Sequence, residues 1–332
     1  KYMEGFSGKI KSLLFKFFKI DITSLNIKNQ FLKKQELFKN YDIVQLINET
    51  SFLCDPKTEQ EIFDFLKKWN KKIFLLSGGT DYPSIKYAYE KKFRYSILTP
   101  YFNGKILSKK DLWALKYLKP NYVKLHKHIY KNINGVIASD IDYHIPLLNY
   151  SKYIGLVPNC INTDKIKSIP TTIDTKIIIF HGINAGNYFK KGNDLFDEAL
   201  VILEKKLANK VKIIRTENVP YEEYIKSYDS CHILLDQVYA YDQGYNALEA
   251  MAKGKVVFTG AEQEWLEMYK LEEDTIAINA LPSVPEIVNK LEWLVNNPQK
   301  IIEISSNARA FIEKEHHYVK SAQRYLDKWN SY

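Results

Sequence analysis

Residues 244–254 read GYNALEAMAKG and run straight into KVVFT, the apolar segment of residues 255–259. On a helix, Ala247, Leu248, Met251 and Ala252 share one apolar face. Glu249 points the other way, with Tyr245, Asn246 and Lys253 one turn off. The backbone N–H groups near Gly244 lack helical partners and sit at the positive end of the helix dipole, which favours an anion. One short helix could thus hold a phosphate at its start and a hydroxylated ring at Glu249. A plainer reading stands beside this one. Glu249 and Lys253 are spaced i, i+4 and would form a solvated ion pair.

Other chemistry-bearing residues fall in loops that follow apolar runs. In SGGTD, residues 77–81, Gly78 and Gly79 permit close backbone approach to a ligand. Asp81 is the candidate side chain there, or else a helix N-cap with Pro83 in the first turn. HGINAGNYFKKG, residues 181–192, carries the adjacent Lys190 and Lys191 ahead of a helix, where surface lysines are also common. TENVPYEEY, residues 216–224, offers Val219, Pro220 and Tyr221, or an ordinary helix start with Glu222 and Glu223 in its first turn. His126 and His128 are two residues apart and do not share a helical face, so a metal pair is not expected. No D-x-D run is read as a metal site.

The elements that must position these residues alternate. Strands are expected at 43–47, 73–76, 135–138 and 154–157, with helices over 57–69 and 108–131. Pro158 and Pro170 mark a boundary near 155–175. A second series follows: strand 176–180, helix 192–207, strand 211–214, helix 221–228 and strand 231–235. The Glu249 helix and strands 256–259 and 275–278 complete it, and about 45 helical residues close the chain. Two β-α series with near-continuous apolar strands imply two doubly wound parallel sheets, which bind ligands at the carboxyl ends of their strands. Residues 9–19, KIKSLLFKFFK, place Ile10, Leu13, Leu14, Phe17 and Phe18 on one helical stripe with four lysines off it. Such a helix either lies in a membrane interface or packs on the first sheet.

Size and composition agree with this outline. The chain has 332 residues, of which 45% are hydrophobic and 26% charged, as in a soluble protein of about two domains. No apolar run reaches about 18 residues, so no transmembrane helix is expected, and no signal-peptide pattern is read. Cys54, Cys160 and Cys231 are scattered and odd in number, which points to reduced thiols in the cytosol. The net charge of +9 is split unevenly, +13 over residues 1–155 and −4 over the remainder. A basic half favours an anionic partner, or is simply a solvated lysine-rich surface. Charge alone would also allow nucleic acid, but no nucleic-acid motif accompanies it.

LEAMAKGKVV resembles the E-A-M-A-x-G-x-P-V signature of the retaining glycosyltransferases of family four, which have the GT-B fold. The resemblance covers residues 155–330 well and 40–155 more loosely. It implies two Rossmann-like domains facing across a cleft: 1–160 on the acceptor side and 161–315 binding a nucleotide-diphosphate sugar. The helix of 316–332, with Tyr318, Tyr325 and Trp329, would pack back on the first domain. GT-B enzymes normally open on a strand and a glycine loop, so the resemblance makes the first domain look as if it lacks its first strand.

Residue by residue, the resemblance implies a donor site. Glu249 would grip the ribose, with Gly244, Tyr245 and Asn246 beside it. Lys191, the lysine of the family's K-G pair, would contact the diphosphate, with Gly182 and Asn184 at the start of that segment. The family often has an arginine after the first glycine, where this chain has Ile183 and Asn184. Val219, Pro220 and Tyr221 would sandwich the base. The family places a first glutamate eight residues before Glu249. Here that residue is Tyr241, with Asp242 or Asp236 as replacement. Asp81, with Gly78 and Gly79, would face the donor sugar from the acceptor side. Catalysis would then rest on Asp81, Lys191 and Asp242. It would need no metal and no cofactor beyond the sugar nucleotide. The implied setting is bacterial polysaccharide assembly on the cytoplasmic side of a membrane, with a glycan or polyprenyl-diphosphate acceptor. The alternative is a non-catalytic glycosyltransferase-like partner.

Overall fold

The computed structural model describes residues 21–105 and 113–332. The basic helix expected over 9–19 lies outside the described residues. Four parallel strands form the first sheet in the order β1-β2-β3-β4: Ile43–Ile47, Lys72–Ser77, Gly135–Ala138 and Tyr153–Leu156. Five parallel strands form the second in the order β6-β5-β7-β8-β9. These are Val211–Glu217, Ile177–Ile183, Ile233–Leu235, Val256–Thr259 and Ile278–Asn279. Helices join consecutive strands, so the fold is two doubly wound α/β units. Strands such as GVIA and VVFT are buried at every position, which is why they read as continuous apolar runs.

Local chemistry sets most helix ends. Asp55 caps Pro56–Trp69 by accepting from the N–H groups of Lys57 and Thr58, with Pro56 at the first position. The single helix expected over 108–131 is not what forms. A short 3₁₀ turn, Trp113–Leu118, precedes an α-helix that starts only at Pro120 and ends at Asn132. Proline forces Lys119 into extended backbone, and that breaks the run. Strands β5 and β6 are longer than expected and carry Gly182 and Thr216 within the sheet. The strand expected over 275–278 shrinks to Ile278–Asn279, because Thr275 turns back to bond the Glu272 carbonyl.

The chain crosses between the sheets twice, and the crossings run side by side. Ile161 donates its N–H to the His316 carbonyl at 2.7 Å, and Tyr318 donates to the Ile161 carbonyl at 3.2 Å. The last helix, Tyr318–Asn330, then lies on the first sheet. Tyr325 and Trp329 pack on Phe74, Ile137, Ile154 and Val157. The Trp329 indole donates to Gln45 at 3.0 Å. Among the described residues no helix is long and apolar enough to cross a membrane.

His316 makes this junction sensitive to acid. Its Nδ1–H faces the Asn159 carbonyl at 2.7 Å, while Nε2 is buried with no partner. Burial lowers its pKa to about 4. The unfolded chain therefore takes up a proton near pH 6.5, before the folded chain does, and stability falls as pH drops from there toward 4. The wild type's advantage over His316→Gln should shrink by about 2 kcal/mol between pH 7 and pH 5, at about 1.4 kcal/mol per pH unit. Urea melts at the two pH values measure it. An advantage that grows on acidification would show that the buried imidazole is charged.

Candidate active site

The two sheets bring their strand ends together, and the second sheet supplies the denser set of polar groups. The short helix Tyr188–Lys191 ends at Gly192, whose φ is +75°. A side chain there would meet Val238 Cβ at 2.6 Å. The close approach lets the Lys191 carbonyl accept the Val238 N–H at 2.8 Å, which latches this turn to the loop after β7. Lys191 Nζ then reaches Asp236 Oδ1 at 2.9 Å. Asp236 is buried and also accepts from Asn246 Nδ2 at 2.9 Å. Asn246 Oδ1 in turn accepts from the Tyr224 hydroxyl at 2.8 Å. Each buried polar group in this chain has a partner, which fixes the position of the cation.

Asn246 lies in the first turn of Tyr245–Ala252, the helix of the GYNALEAMA run. Gly244 caps it without a side chain, and Tyr245 is exposed. Three residues after Asn246 comes Glu249. Among the described residues its carboxylate has no hydrogen bond or ion pair. The expected partner Lys253 turns instead to Asp229. The solvated-pair reading of Glu249 is therefore not what the fold builds. Among the described residues a half-buried carboxylate without a partner is left one helical turn from Asn246, on the helix whose start is uncapped.

The remaining donor-side candidates divide. Gly182 sits in strand β5, and a side chain there would run into the ring of Tyr224. Its role is to seat the tyrosine that holds Asn246. Asn184 is exposed and caps the next turn by accepting from the Gly186 N–H at 3.0 Å. Asn218, at φ +52°, donates its N–H to the Ile183 carbonyl and accepts from the Ala185 N–H, tying that turn to the loop of Val219. Pro220 precedes helix Tyr221–Ser230, and Tyr221 is 72% exposed. Val219, Pro220 and Tyr221 thus form an apolar rim one helical turn from Tyr224.

On the first sheet, Asp81 is fully buried and caps helix Tyr82–Tyr89. Both its oxygens accept hydrogen bonds, from the hydroxyls of Ser77 and Ser84 and the Ser84 N–H. The capping reading is the one the geometry favours. Gly78 and Gly79 pack under Asn48, whose amide lies 2.7 Å from where a Gly79 Cβ would be. His126 turns inward to Glu49 and His128 outward to Asp64, so the two histidines serve different partners.

Tyr241, at the position of the family's first glutamate, is a plug between the domains. Its ring packs against Phe93 at 5.1 Å and Tyr95 at 5.5 Å, with the Arg94 guanidinium 4.7 Å above it. Its hydroxyl accepts the Arg94 N–H at 2.8 Å. Arg94 also pairs with Glu262 at 2.6 Å and Glu264 at 2.7 Å, and the Tyr95 hydroxyl bonds Glu262.

Beside this plug three carboxylates meet: Asp140 and Asp142, a D-x-D run that the sequence reading passed over, and Asp242, which only the closing of the two domains brings to them. Asp142 accepts the N–H groups of Tyr241 and Asp242 across the domain boundary. Asp242 accepts the Ile141 N–H in return, at 3.1 Å, and the Gln243 N–H at 2.6 Å. Asp140 caps the helix Ile141–Leu147. Burial raises the pKa of all three, and mutual repulsion adds to it at Asp140 and Asp142. They line an interdomain cavity of about 190 Å³ that also includes Thr80, Gln243 and Gly244. Gly244 is thus shared by this cavity and the start of the Glu249 helix. The signal for Asp140 was present: it follows the apolar strand GVIA, and strand ends are where such sheets bind. A larger hollow of about 900 Å³ opens near Asp55 and Tyr122 in the first domain but holds none of the candidate residues. Among the described residues no group of three or more His, Cys, Asp or Glu, the aspartates at 140, 142 and 242 included, is arranged to hold a metal ion.

Comparison with known proteins bears on the fold. Residues 189–327 match a family model described as glycosyl transferase-like. No curated protein matches the chain. Several solved structures share its fold. TarM of S. aureus superposes with a TM-score of 0.59 at 16% identity, over 92% of this chain and 57% of that one. Anabaena HepE in complex with UDP gives 0.57 at 14% identity, over 93% and 82%. Sucrose-phosphate synthase from Thermosynechococcus elongatus gives 0.58 at 14% identity, over 93% and 77%. The fold is GT-B, and the chain spans little more than half the length of TarM.

Proposed function

We propose that the protein is a glycosyltransferase that moves a sugar from a nucleotide-diphosphate donor to a glycan or polyprenyl-diphosphate-linked acceptor. The observation that carries this reading is Glu249, a carboxylate without a partner among the described residues, one helical turn from the Asn246 that ends the Lys191–Asp236–Asn246 relay, on a helix with an uncapped start. Such a set suits a ribose and a diphosphate together. The family-model match includes every one of these residues. HepE in complex with UDP and with UDP-glucose has the same fold, which supports a sugar nucleotide as donor. Breaking the sugar–phosphate bond builds charge on the leaving diphosphate. Lys191 and the N–H groups after Gly244 would meet that charge without a metal. Retention of anomeric configuration, a role in polysaccharide assembly and a membrane-side location belong to the same reading.

Glu249→Ala should weaken binding of a nucleoside diphosphate by about 1–3 kcal/mol, the range for a lost charged hydrogen-bond partner. Titration calorimetry with UDP, GDP, dTDP and ADP measures it. Unchanged affinity in both Glu249→Ala and Lys191→Ala would sink the donor-site assignment. Excess chelator should leave transfer unchanged. Loss of turnover that magnesium or manganese restores would point to a metal-dependent mechanism instead. A second reading, a non-catalytic binding partner, draws on Tyr241 and on the inward turn of Asp81. Nucleotide binding with neither sugar transfer nor sugar-nucleotide hydrolysis would favour it.

A further inference from the structure

The ionisable acid and base groups that line the interdomain cavity are all carboxylates or phenols. Asp140, Asp142 and Asp242 contribute carboxylates, and among the described residues no lysine, arginine or histidine lines it. Gln243 adds an independent sign of a ligand. It is 98% buried, and its Nε2 is held by the Gly260 carbonyl at 2.6 Å. Its Oε1 is buried with no donor. A buried acceptor left open calls for a group that donates to it. The carboxylates have spare capacity as well. An ionised carboxylate accepts about four hydrogen bonds, and the partners of Asp142 are backbone N–H groups, chiefly those of Tyr241 and Asp242, so capacity remains for a ligand hydroxyl. Ile85 and Phe93 supply an apolar wall. Apolar contact together with convergent acceptors suits a sugar ring, whose C–H face is apolar and whose hydroxyls donate.

We infer that this cavity holds the glycosyl group of the donor and selects an uncharged sugar, rejecting a uronic acid. The inference rests on the donor-site reading above, because Gly244 joins the cavity to the start of the Glu249 helix. The selection is electrostatic. Burial raises the pKa of Asp142 to about 7 and that of Asp242 to about 6, so at pH 8 both are ionised, and a sugar carboxylate placed beside them meets like charge at short range in a site shielded from water.

The test is a set of titrations at pH 8 and low salt. UDP and GDP are titrated first. The base that binds then fixes the pair compared: UDP-glucose with UDP-glucuronate, or GDP-mannose with GDP-mannuronate. Each pair differs only at C6. The neutral sugar nucleotide should bind at least as tightly as the bare diphosphate. The uronate should bind roughly tenfold more weakly or worse, a conservative figure for like charges set together in an interface. Asp142→Asn and, separately, Asp242→Asn should narrow that gap, with thermal melts identifying the variant that stays folded. Equal or tighter binding of the uronate while the diphosphate binds overturns the inference alone. So does equal weakening by both sugars, which would show that the cavity takes no glycosyl group. Failure of UDP, GDP, dTDP and ADP alike to bind overturns the donor-site reading, and the inference falls with it; binding of dTDP or ADP alone moves the same comparison to that nucleotide's neutral sugar and uronate.

Discussion

Lys191→Ala should lower the turnover number by about 10²- to 10³-fold, the loss seen when one preorganised group is removed from a developing negative charge. The size follows from the position of the ammonium. It is held at 2.9 Å by Asp236, which is itself fixed by Asn246 and Tyr224. A cation fixed before the reaction needs no reorganisation when the diphosphate departs. Lys191→Arg is the informative control, because it keeps the charge but not the point geometry. Its activity should lie between wild type and alanine. The measurement is steady-state transfer with separate turnover number and KM. A change in KM alone would show that Lys191 binds ground state and transition state equally, so that it serves affinity and not catalysis. Alanine also leaves Asp236 buried without its cation, so a melting curve must accompany the kinetics.

Tyr241→Ala should cost about 3–5 kcal/mol of stability, the range for emptying a buried aromatic site. The ring is 2% exposed and fills the space between Phe93 and Tyr95 of the other domain. Its removal also takes the acceptor from the Arg94 N–H. Tyr241→Phe keeps the ring and loses only that hydrogen bond, so it should cost roughly 1–3 kcal/mol. Denaturant melts of the pair give the two contributions. Nucleotide binding should survive in both, because Lys191, Asp236, Asn246 and Glu249 all stand on the second sheet. A Tyr241→Ala protein that is stable but inactive would move this residue from the domain interface to the chemistry.

Much of the fold is legible in the sequence, and the reason is that its signals are local. Apolar runs such as GVIA and VVFT need only their own side chains to choose a buried strand. Asp55–Pro56 and Ser283 announce helix starts through bonds to backbone N–H groups two or three residues on. The GYNALEAMAKG helix was visible by its periodicity, down to the glycine that ends it. Pro120 also acts locally, and the helix expected across it should have been broken there.

What the sequence could not decide is which partner each polar side chain takes. Glu249 and Lys253 are well spaced for a pair, yet Asp229, on a neighbouring helix, takes the lysine. Asp81 could face a ligand or cap its helix, and the serines at 77 and 84 draw it inward. Tyr241 and Asp242 meet Arg94 and Ile141 from 147 and 101 residues away. No local pattern encodes such contacts, because they exist only once two separately folded sheets close on each other. The residue types that could bind a sugar nucleotide were set by the sequence. Which of them remain free for a ligand was set by packing between the domains, where burial makes every polar group find a partner or wait for one.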